Sequence, residues 1–105
     1  MNVNLKPIIG IVSPCYNEEQ VLNETINQLH DLIVDLVNKA AISDHSFVAL
    51  VDDGSKDATW NIIEQRANQS SHIKGLKLAG NVGHQKALLA GLLTFNDNAD
   101  VLISI

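Results

Sequence analysis

Two carboxylates stand side by side at Asp52 and Asp53, where the apolar run Phe47 to Val51 ends and Gly54, Ser55 and Asp57 follow. Adjacent carboxylates repel, so a pair here calls for a partner that takes up the charge, either hydrogen-bond donors of a ligand or a metal. The same residue types also build ordinary turns, with Asp52 capping and Asp53 solvated, and the pair alone leaves the two readings level. A second acidic pair, Glu18 and Glu19, comes just after Pro14, Cys15, Tyr16 and Asn17. A third polar turn runs from Gly80 through Asn81 and Gly83 to His84.

Other reactive side chains read as bland. Cys15, the only cysteine, fits a small core or loop filler better than a nucleophile, and with one cysteine the chain can form no internal disulfide or zinc cluster, as in a reducing compartment. His30, His45 and His72 do not fall at metal-ligand spacing; His84 at a helix start suits a phosphate contact, but reads rather as a solvated or capping residue. Asp57 reads as a helix N-cap and Trp60 as a packing residue.

The elements that must position these groups follow from periodicity. Ile8 to Val12 is an apolar strand stopped by Ser13 and Pro14. A helix is expected from Asn17 or Glu18, with both glutamates in its first turn and Leu22, Ile26, Leu29, Ile33, Leu36 and Ala40 on one stripe. Phe47 to Val51 is a buried strand, and a helix from Asp57 turns Ala58, Ile62, Ile63 and Ala67 inward. A strand over Ile73 to Leu78 follows, then a helix with Ala87, Leu88, Gly91, Leu92 and Phe95 on one face, then an apolar strand from Ala99 to Ile105. Alternating strands and helices imply right-handed crossovers and a Rossmann-like three-layer α/β/α fold. Its sheet is mostly parallel, in the expected order 3-2-1-4. In such a sheet the loops after the first three strands gather at one edge, where ligands bind.

At 105 residues the chain reads as a single domain, 1–105, and it stops inside an apolar strand, so an incomplete piece of a longer protein is expected. The net charge of −5 argues against nucleic acid as a partner. Asn2, Asn4, Lys6 and Pro7 interrupt the apolar run a signal peptide needs, and no stretch is long enough to cross a bilayer, so a cytoplasmic location is expected.

Taken together, PCYNEEQVL, LVDDGSKDAT and NVGHQKALLAGL, in this order and separation, resemble the opening third of a glycosyltransferase family 2 enzyme of GT-A fold. The resemblance runs from about Ile8 to Ile105. The subgroup it looks most like transfers sugars to polyprenyl phosphates: bactoprenol glucosyltransferases and dolichyl-phosphate mannose synthases.

The resemblance implies a UDP- or GDP-sugar donor and a polyprenyl-phosphate acceptor in the full-length protein. It implies that Tyr16 lies against the nucleobase with Pro14 lining the same pocket, and that Asp53, or Asp52 beside it, accepts a hydrogen bond from the base's ring N–H. Glu18 and Asn81 belong to the same nucleoside half. The family's D-x-D motif and its divalent metal, Mg²⁺ or Mn²⁺, are expected just after Ile105, with no catalytic residue or metal ligand before it. The chain alone is then inactive. Membrane association is expected only through the missing C-terminal part, which would bring the full-length protein to the cytoplasmic face of the membrane. One departure stands out: relatives usually carry Arg immediately before the Asn-x-Gly motif, and Gly80 is there instead.

Different classes remain beside this one. An acidic pair after a strand of an α/β domain also suits a phospho-receiver signalling module. That module needs its acidic pair after the first strand and a phosphate-accepting Asp after the third, where this chain has Pro14–Tyr16 and Gly80–Asn81. A non-catalytic nucleotide-binding module is the other alternative.

Overall fold

The computed structural model describes residues 5–105. Asn2 and Asn4, used above against a signal peptide, lie outside the described residues. The element order is β1 (Ile9–Cys15), α1 (Leu22–Asn38), β2 (Phe47–Asp52), α2 (Thr59–Gln69), β3 (Ile73–Lys77), α3 (His84–Phe95) and β4 (Val101–Ser104), with a short 3₁₀ turn at Asn96–Asn98. The strands pair in parallel in the order β3-β2-β1-β4 expected from the sequence.

Strand parity divides the core. Val48 and Leu50 of β2 pack with Ile11, Leu22, Ile26, Ile33 and Ile63, under α1 and α2. Phe47, Ala49 and Val51 pack with Val12, Ala87 and Phe95, under α3. Every residue of β2 is buried, as expected for a strand covered on both faces. Gly91 lets α3 approach closely, since a Cβ there would lie 2.6 Å from methyl carbons of Val12 and Val51. At the far edge β4 is thinly covered: Val101 and Ile103 are exposed, while Leu102 packs under α3. Among the described residues, no helix is long and apolar enough to cross a membrane.

Several local expectations are corrected. β1 does not stop before Pro14 but runs through it to Cys15. The carbonyls of Ile8 and Val12 accept amides on the β4 side, whereas that of Cys15 accepts the Asp53 amide on the β2 side. Pro14 shares the parity of Val12, so its missing N–H costs the β1–β2 ladder nothing.

The first helix starts at Leu22, not at Asn17 or Glu18. Glu18 and Glu19 lie in the preceding turn because both amides and the Glu19 carboxylate are engaged by the stretch from Asp57 to Thr59, while the Glu18 carboxylate takes the Tyr16 amide. The helix ends at Asn38, and Ala40 leaves the apolar stripe: it is exposed, with φ of 61°. The Ala41 amide reaches the Leu36 carbonyl and the Ala40 amide that of Val37, a Schellman motif with alanine in the position glycine favours. The second helix starts at Thr59, so its N-cap position falls to Ala58 rather than Asp57; Asp57, one residue earlier, accepts the Thr59 amide at 2.9 Å. β3 ends at Lys77 and β4 spans Val101–Ser104, each shorter than its apolar run.

Candidate nucleoside site

The loops after β1, β2 and β3 meet at the C-terminal edge of the sheet. Between them lies a cavity of about 190 Å³ lined by Pro14, Cys15, Tyr16, Glu18, Asp53, Asn81, Gly83 and His84. Every site residue named from the sequence lines it except Asp52.

Asp53 joins the three loops. Its amide donates to the Cys15 carbonyl at 2.9 Å. Its carboxylate accepts the Val82 amide at 2.7 Å and the Gly83 amide at 3.1 Å, and its carbonyl accepts Asn81 Nδ2 at 3.2 Å. These bonds are how a carboxylate only 3% exposed is tolerated. A carboxylate has about four lone-pair sites, so two amides leave it able to accept another donor. Next to it, Gly54 has φ of 72°, and a Cβ there would fall 2.5 Å from the Asn81 nitrogen, so only glycine lets the loops after β2 and β3 close on each other.

Asp52 shares the parity of Val48 and Leu50 and so turns toward α1 and α2, away from the cavity. It is fully buried; Oδ1 accepts the Ser55 amide at 3.2 Å, and Oδ2 has no partner among the described residues. Of the alternatives Asp52 and Asp53, only Asp53 faces the cavity.

Tyr16 projects from the end of β1 and is 42% exposed, leaving its ring free to stack. Glu18 Oε2 accepts the Tyr16 amide at 3.1 Å, holding the two residues in one turn. Cys15 is buried, and its thiol is pushed up to about 12, first by burial and then by the negative charges of Glu18 and Asp52. It stays protonated and serves as packing, as read from the sequence.

The loop after β1 is fastened to the loop after β2. The Asn17 amide donates to Ser55 Oγ at 2.9 Å and Asn17 Oδ1 accepts the Lys56 amide at 2.8 Å, with Asn17 at φ of 50°. The Glu18 amide donates to Thr59 Oγ1 at 2.8 Å, and that hydroxyl donates in turn to Asp57 Oδ1. The bonds from Thr59 hold the Asp57 carboxyl below the usual carboxylate range.

Gly83 and His84 also line the cavity; the sequence placed their loop, Gly80–His84, at this edge without singling either out as a site residue, and their position at the start of α3 was the signal. His30 and His72, read as scattered, meet at 5.9 Å between ring centroids, with His72 Nδ1 bonded to the Ser46 carbonyl. Among the described residues, no group of three His, Cys, Asp or Glu could hold a metal ion. The described residues by themselves therefore form no metal site.

The family model for glycosyl transferase family 2 matches residues 10–99. The chain belongs to this family. Over 100 residues it is 48% identical to the uncharacterized glycosyltransferase YkoT of Bacillus subtilis, covering 95% of this chain and 30% of that protein. Over 84 residues it is 37% identical to an undecaprenyl-phosphate 4-deoxy-4-formamido-L-arabinose transferase of Shewanella sediminis, covering 79% of this chain and 24% of that protein. The family chain thus spans less than a third of these relatives' length.

Among solved structures, S. aureus TarS 1-349 in complex with UDP superposes with a TM-score of 0.67 at 24% identity, covering 93% of this chain and 26% of that one. The mannosyltransferase PcManGT of Pyrobaculum calidifontis, in complex with GDP-Man and Mn²⁺, gives 0.65 at 20% identity, covering 85% of this chain and 24% of that one. These likenesses show a Rossmann-like GT-A fold. The phospho-receiver reading falls with the family match, and Pro14 to Tyr16 indeed occupy the end of β1 where it needed acids.

Proposed function

We propose that this chain is the nucleoside-binding, N-terminal part of a catalytic domain that transfers a sugar from a UDP- or GDP-sugar to a polyprenyl phosphate. The observation that carries the proposal is the convergence of Tyr16, Glu18, Asp53 and Asn81, from three separate loops, on one cavity. At about 190 Å³ that cavity is smaller than the roughly 300–1,000 Å³ that encloses a whole drug-sized ligand, and suits one part of a donor.

A flat base enters beside the exposed Tyr16 ring, with Pro14 on the same wall. Uracil and guanine each carry a ring N–H, and Asp53 retains acceptor capacity for it, giving a charge-assisted bond. The acceptor reading is supported by the name of the Shewanella relative, an undecaprenyl-phosphate transferase.

In the reaction, a phosphate oxygen of the acceptor forms a bond to the anomeric carbon of the sugar. The bond from that carbon to the nucleoside diphosphate breaks, and its electron pair leaves with the diphosphate. An acceptor already anionic needs positioning more than proton removal. A divalent cation, Mg²⁺ or Mn²⁺, would be held by groups outside residues 5–105, and the chain alone would bind nucleotide without transferring sugar. The full-length protein would work at the cytoplasmic face of the membrane.

The test is a titration of the chain with UDP and with GDP, followed residue by residue by amide chemical shifts. Changes concentrated at Tyr16, Asp53, Asn81 and His84 are expected for one of the two. No response to either at millimolar concentration, or changes centred elsewhere, would overturn the reading.

A further inference from the structure

Glu18 and Tyr16 reach the cavity on a loop, 16–21, that lies outside regular structure until α1 begins. What fixes that loop is the loop after β2. Most of the bonds between them lie at the surface: those of Asn17 with Ser55 and Lys56, that of the Glu19 amide with Asp57 at 3.3 Å, and that of the Ala58 amide with Glu19 at 3.3 Å. Water competes for such groups, so their net worth is modest.

Thr59 differs because it is fully buried. A hydroxyl has one proton to give and lone pairs to receive. Thr59 gives its proton to Asp57 Oδ1 and receives the Glu18 amide at 2.8 Å. No other buried side chain bonds to the backbone of loop 16–21 among the described residues.

We propose that Thr59 is a positioning residue for the nucleoside cavity. Although it does not line the cavity, its hydroxyl sets where Glu18 and Tyr16 stand. The inference rests on the nucleoside reading above and assigns the loop's placement to one atom. Removing Oγ1 leaves the Glu18 amide without its partner, and the turn that carries Tyr16 shifts. A purely structural role would lower thermal stability and leave the cavity's affinity alone.

The experiment compares the wild-type chain, Thr59→Val, which keeps the shape and loses the hydroxyl, and Thr59→Ser, which keeps it. Each is titrated with UDP and GDP below its melting temperature. Thr59→Val is expected to weaken the preferred nucleotide by about tenfold, and Thr59→Ser to bind within about twofold of wild type. The amide signals of Tyr16 and Glu18 should move in Thr59→Val and return in Thr59→Ser. Should Thr59→Val fail to fold, Thr59→Cys, which puts a weakly accepting thiol in place of the hydroxyl, should show the weakening. Equal affinity in wild type and in Thr59→Val, or in Thr59→Cys where only that one folds, overturns this inference alone. A wild-type chain that binds neither nucleotide overturns the nucleoside reading and this inference with it.

Discussion

Asp53 engages both carboxylate oxygens with the amides of Val82 and Gly83. Asp53→Ala strands those amides and opens the wall of the cavity, a loss of about 2–4 kcal/mol. For a chain of this size that lowers Tm by roughly 10–25 °C in a thermal melt. An unchanged Tm would mean the loop is held by something else.

Asp57 makes a different, pH-dependent contribution. Its carboxyl is held below its ordinary value of 3.8, chiefly by the Thr59 hydroxyl, so folding favours the ionised form. That stabilisation is complete above 3.8 and is lost as the pH falls through the lowered folded-state value. The Tm difference between wild type and Asp57→Asn should therefore be constant near neutral pH and narrow below 3.8. Paired melts across that range measure it, and a gap that widens on acidification would contradict the assignment.

At the scale of elements, α1 ends in a Schellman turn with Ala40 at φ of 61°. A left-handed alanine is strained by roughly 1 kcal/mol, and Ala40 is exposed, so its methyl repays little by packing. Ala40→Gly should raise Tm by about 4–8 °C, read by calorimetry. The order β3-β2-β1-β4 was legible because apolar runs and helical stripes alternate plainly, and burial on both faces leaves β1 and β2 little choice but the centre. The start of α1 was not legible. Glu18 and Glu19 have the composition of a first helical turn, and what keeps them out is a set of bonds to residues about forty positions later, which no local pattern contains. Pro14 misled for a related reason: whether a proline ends a strand depends on which neighbour its nitrogen would have faced.

Across the whole molecule, the candidate site was legible as a set of residues and less so as an arrangement. Three motifs on three loops had to meet once the sheet was parallel, and Pro14, Tyr16, Glu18, Asp53 and Asn81 do line one cavity. Strand parity separates Asp52 from Asp53, and only Asp53 lines the cavity, a difference that adjacency in the sequence does not carry. The bonds that assemble this region join distant stretches: Glu18 with Thr59, Asn17 with Lys56, Asp53 with Val82. Each spans a whole β-α-β crossover and the set together needs both, so the binding edge completes late in folding and is the first part to open in the native state. In deuterated buffer the amides of Glu18, Lys56 and Val82 should exchange together and well before those of Val48 and Leu50, as a single opening unit spread over three stretches of the chain.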